Sequence, residues 1–130
     1  MTILKKLEHI NKIFTYAVLR MILRNKPVKY PIDKGKIKKI LILRYDAIGD
    51  MVVTLPAIDL LRKIIPAAEI HVLASHRNFD IIRHDHRIDK IIIHSGNPKK
   101  IFSELKVYKK ENYDLILSFV FNKTTFAGIV

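Results

Sequence analysis

The 130-residue sequence contains no cysteine, which removes disulfide frameworks and thiolate metal sites from consideration and is consistent with a reducing cytoplasm. Glycine is scarce. Gly35, Gly49, Gly96 and Gly128 form neither a G-x-G-x-x-G dinucleotide fingerprint nor the phosphate loop of nucleoside triphosphatases. No run of about 18 uncharged apolar residues occurs, so the pattern supports no membrane-spanning helix. An export signal is excluded as well, because Glu8, His9, Asn11 and Lys12 interrupt any apolar h-region and no small-residue cleavage site follows. Acidic residues are few: 12 Asp and Glu stand against 24 Lys and Arg, a formal net charge of +12.

That surplus is local. Residues 1–39 hold eleven Lys/Arg against Glu8 and Asp33, a net of +9, while residues 40–130 hold thirteen against ten, a net of +3. A basic extension therefore precedes a nearly ordinary globular part, and such a concentration points to a phosphate-bearing partner, a lipid surface or a nucleic acid. With 49% apolar residues the chain can build a packed core, and its length makes one domain the default.

Residues 2–25 read as one amphipathic helix, because Ile3, Leu7, Ile10, Phe14, Ala17, Val18, Met21 and Ile22 recur at spacings of three and four. Asn25-Lys26-Pro27 ends it, giving a basic helical segment over 1–26 and a proline-containing linker over 27–36. The apolar stripe with its basic flanks suits the head-group boundary of an anionic membrane. A helix docked on its own or another domain is the structural alternative. Nucleic acid is disfavoured, since the segment has few aromatics for base stacking and no nucleic-acid motif.

From Ile37 onward strands and helices alternate. Residues 37–44, 69–75, 89–94 and 113–120 read as strands; 50–64, 78–85 and 98–110 read as helices, and Thr124 or Thr125 would cap another. Four βα units imply a parallel sheet with helices on both faces. Because the sequence stops a few residues into that last helix, the expectation is a fragment of a larger protein.

Ligands of an open α/β sheet bind at the carboxyl ends of its strands, where strand order reverses. There the loop Tyr45-Asp46-Ala47-Ile48-Gly49 leads to Asp50. Gly49 would allow a tight turn or close approach of a ligand. Asp50 reads either as a helix cap or as a general base accepting a proton from a substrate hydroxyl. Five histidines fall between 71 and 94, and His84-Asp85-His86 could chelate. No third and fourth ligand stands at supportive spacing, so no metal is expected and solvated loop histidines are the simpler reading.

The string ILILRYDAIGDMVVTLPAIDLLRKIIPAAEIHVLA resembles the N-terminal signature of glycosyltransferase family 9, the lipopolysaccharide heptosyltransferases. The matching pieces are strand Ile40–Leu43, loop Arg44–Ala47, triplet Ile48-Gly49-Asp50, Thr54-Leu55-Pro56, and Pro66 before strand Glu69–Leu73. The resemblance continues through Asp85–Ile93, where His86 replaces a family proline, and through Tyr113-Asp114-Leu115-Ile116. It implies a Rossmann-like sheet over 37–130, the N-terminal half of a GT-B fold, binding a glycolipid or saccharide acceptor. A C-terminal domain outside this sequence would bind the nucleotide-sugar, ADP-heptose or similar. The implied reaction is inverting, metal-free sugar transfer without a further cofactor. Asp50 would be the catalytic base, with Arg44, Gly49, Thr54 and Lys123 as acceptor-side candidates; Arg44 and Thr54 also read as structural. The implied location is cytoplasmic, on the inner face of the cytoplasmic membrane. The alternative is a non-catalytic, membrane-attached α/β module that holds an acidic glycolipid.

Overall fold

The computed structural model describes residues 30–96 and 100–120. The helix expected over 2–25, Lys123 and the helix expected after Thr124 lie outside them. The elements described here fall in the compact unit that begins at Ile32. After a 3-10 turn at Lys34–Lys36 they run β1 (Lys39–Leu43), α1 (Ile48–Ile64), β2 (Glu69–Ala74), α2 (Phe79–Ile82), β3 (Lys90–Ile93), α3 (Ile101–Glu111) and β4 (Leu115–Ser118).

The strands form one parallel sheet in the order β3-β2-β1-β4. Central β1 is the most apolar strand, as a strand covered on both faces must be. Its alternation divides the core into two layers. Ile40 and Ile42 face Met51, Ile58 and Ile65 of α1 and its end, together with Ile82 of α2. Leu41 and Leu43 face Leu73, Leu105 and Tyr108 on the other side. All four β1 residues from Ile40 to Leu43 are fully buried, each side chain contributing about 1.5–3 kcal/mol of transfer free energy.

The amino ends of the strands show why two aspartates of the motif precede strands. Asp114 Oδ2 accepts from the backbone N–H groups of Lys38 (2.8 Å) and Lys39 (3.0 Å). Asp89 Oδ2 accepts from Ile70 N (2.7 Å) and Arg62 Nη2 (2.6 Å). Each carboxylate thus satisfies donors at the start of a neighbouring strand, which are otherwise costly to leave unpaired. At the same end Glu111 bridges Lys39 (2.9 Å) and Lys90 (2.6 Å), tying the end of α3 to β1 and β3. These bonds pull the Glu111 carboxyl down to about 2. Buried His71 pairs its Nδ1 with the Tyr113 hydroxyl at 2.9 Å; burial holds the imidazole below its ordinary value and pushes Tyr113 up to about 12.

Helix ends follow local rules. Asn112 closes α3 in the left-handed conformation (φ 51°), which asparagine tolerates better than most residues. Pro56 stands inside α1 but on its exposed side, where the Val52 carbonyl that loses its backbone donor can be solvated.

Candidate functional site

The chain leaves β1 at Arg44, whose side chain is only 2% exposed. A guanidinium taken out of water must be satisfied from several directions. Nε donates to the Asp50 carbonyl (2.8 Å) and to Thr54 Oγ1 (2.9 Å). Nη1 donates to Asp46 Oδ2 (3.1 Å) and to the Phe119 carbonyl. Nη2 lies 3.6 Å from Asp50 Oδ1. The Arg44 main chain is equally held: its N–H donates to the Leu73 carbonyl (2.9 Å), and its carbonyl accepts from Nδ2 of fully buried Asn78 (2.9 Å). Asn78 Oδ1 in turn accepts from Ser75 N (2.8 Å). One arginine therefore joins the carboxyl ends of β1 and β2 to Phe119, just beyond β4. This is where successive strands depart to opposite sides of β1, the crevice position of an open α/β sheet.

Asp50 is the third residue of α1, not its cap. The N-cap is Ala47, which makes no side-chain cap bond, so the cap reading is set aside. With that role absent, the Asp50 side chain remains 41% exposed at the positive end of the helix dipole. Its carbonyl accepts from Thr54 Oγ1 (2.7 Å) as well as from Arg44. Arg44 and Thr54, both buried, are turned into the protein: they support the first turn of α1 instead of presenting polar groups to a ligand. Gly49 also differs from expectation. It is an ordinary first-turn helical residue without positive φ, and a Cβ there would meet nothing within 4 Å. Neither turn geometry nor close packing requires glycine, and the space beside Asp50 stays open.

Asp46 is the residue that motif reading passes over. Oδ2 engages Arg44, whereas Oδ1 is buried and accepts no hydrogen bond among the described residues. Burial raises the Asp46 carboxyl above the ordinary range, its own backbone and Arg44 pull it back, and the Asp50 carboxylate raises it further. The signal available in the sequence was the Asp-x-x-x-Asp spacing across the loop.

A second polar group borders the same end of the sheet, after β3. His94 Nδ1 lies 2.9 Å from Glu104 Oε2, Ser95 donates to Glu104 Oε1, and the Tyr45 ring sits 4.8 Å from that of His94. Burial pushes the Glu104 carboxyl up, but the Ser95 and His94 bonds outweigh it and leave it below its ordinary value. In the His84-Asp85-His86 loop Asp85 is occupied by Arg87 (2.7 and 2.9 Å), and no group of three or more potential ligands is placed to hold a metal among the described residues.

An open parallel α/β sheet with a polar crevice at its switch point is the class of protein these features define. The same fold occurs in a crystal structure of a glycosyl transferase family 9 protein from Veillonella parvula DSM 2008, with a TM-score of 0.61 and 21% identity. The similarity covers 78% of this chain and 31% of that one, so the chain spans about a third of the length of the structure it matches. No protein-family model and no curated protein matches the sequence.

Proposed function

We propose that this chain is the acceptor side of an inverting glycosyltransferase of the heptosyltransferase type, with Asp50 as general base. The observation that carries the reading is the half-exposed Asp50 carboxylate, mounted on a buried Arg44–Thr54 support at the sheet's switch point. An acceptor hydroxyl on a glycolipid or saccharide would give its proton to Asp50 as its oxygen attacks the anomeric carbon, and the sugar–phosphate bond breaks toward the nucleotide. One base on the acceptor side suffices for that displacement; positioning of the nucleotide-sugar, ADP-heptose or similar, falls to a donor-binding part of the whole protein. Lys123 is proposed to help hold the acceptor. The basic segment 2–25 is proposed to bring the protein to anionic lipid on the inner face of the cytoplasmic membrane, where a lipid-linked acceptor would lie.

Asp50→Asn in the full-length protein is expected to lower transfer by about 10²- to 10⁴-fold, the usual range for a lost general base, with acceptor binding retained. Initial rates with a nucleotide-heptose donor, beside acceptor binding by calorimetry, check this. Unchanged turnover rules out the assignment and favours a non-catalytic module that holds an acidic glycolipid.

A further inference from the structure

We propose that Asp46 is a positioning residue for Asp50: Arg44 clamps the two carboxyls side by side, so that a proton arriving on Asp50 is held between them. The inference rests on the reading of Asp50 as a base but makes a separate claim about the pair. Three observations meet. A single guanidinium engages both residues, Nη1 at 3.1 Å from Asp46 Oδ2 and Nη2 at 3.6 Å from Asp50 Oδ1. Asp46 is the more buried partner, its side chain 18% exposed against 41% for Asp50. Its second oxygen is buried and accepts no hydrogen bond among the described residues, an arrangement that is costly unless a proton or donor reaches it.

The electrostatics give the pair a direction. Two carboxylates share one cation, so the group carries a net negative charge before reaction. Burial, and then the neighbouring Asp50 carboxylate, favour the protonated form of Asp46. In the transfer step the acceptor O–H bond breaks as its proton moves to a carboxylate oxygen of Asp50. That proton then bridges to Asp46, and Arg44 balances the charge that remains. No other residue need leave its place. Among the described residues Arg44 and Asp50 are charged neighbours of Asp46, and the Ser75 hydroxyl donates to its carbonyl (3.5 Å).

The test reads the carboxyls directly, by ¹³C NMR titration of the full chain labelled at aspartate side chains, in the wild type, Asp50→Asn and Asp46→Asn. The expected result is an Asp46 midpoint above that of the exposed aspartates, which moves to lower pH in Asp50→Asn. An Asp46 midpoint unmoved by Asp50→Asn overturns the proposal. Should Asp46→Asn fail to fold, the Asp50→Asn chain alone decides, because Asp50 is half exposed. In the active full-length protein, Asp46→Asn should lower kcat without changing the KM of the nucleotide-sugar; a merely structural role would move both. Coupled midpoints together with undiminished turnover in Asp50→Asn would overturn the catalytic reading while leaving the carboxyl pair standing.

Discussion

Arg44 carries more of the local architecture than any other side chain in the crevice. As a residue at a strand end beside a ligand position, it reads in sequence equally as a contact or as a support. The structure decides, because Asp46 is a chain neighbour two residues away, whereas Thr54 and Phe119 lie 10 and 75 residues away and are brought to Arg44 by folding. Replacing it by methionine would keep most of the volume but leave the Asp46 carboxylate partly buried without its cation. Removal of one member of a buried ion pair costs about 3–5 kcal/mol, and Arg44→Met is expected to lose stability of that order in urea unfolding. Thr54→Val, which leaves one acceptor site short for Arg44, should cost about 1–3 kcal/mol in the same measurement. The sequence shows Asp50 after a glycine and Asp46 four residues before it, but the guanidinium the two share appears only in the fold.

At the scale of elements, hydrophobic periodicity locates the β–α alternation well. The strand expected over 37–44 is Lys39–Leu43, that over 69–75 is Glu69–Ala74, and the helix expected over 50–64 starts two residues earlier, at Ile48. The early start is what moves Asp50 inside the first turn and away from the cap. Strand order is a different matter. Placing β4 beside β1 instead of β3 follows from right-handed crossovers and from which faces remain to be covered, not from the pattern within any one strand. Glu111 is one residue through which the end of α3 is tied to that order. Its carboxyl is depressed in the folded chain, so its contribution is present above an ordinary value near 4.5 and is lost as pH falls toward about 2. Stability should therefore decline across that window, and Glu111→Gln should remove part of the decline. The ion pairs lie near the surface and are screened, which limits the effect to about 1 kcal/mol by chemical unfolding at several pH values.

For the whole molecule the uneven charge dominates, with a net of +9 before Ile40 and +3 after Lys39. If residues 2–25 attach the protein to anionic lipid as proposed, the chain should float with phosphatidylglycerol-containing vesicles, and it should do so less at higher salt, where screening weakens each basic contact. Removing residues 2–25 should abolish flotation, and undiminished binding would rule out that segment as the anchor.

The sequence by itself determined the alternation of strands and helices, the depth of β1 in the core, the basic extension and the position of Asp50 after a strand. Periodicity, composition and spacing are local properties of the chain. Only the tertiary structure decided that β4 lies beside β1, that Arg44 and Thr54 face inward, and that Asp46 shares a cation with Asp50. The physical reason is that burial and electrostatic coupling depend on which distant segments exclude water from the same place, and that is settled when the sheet closes around β1.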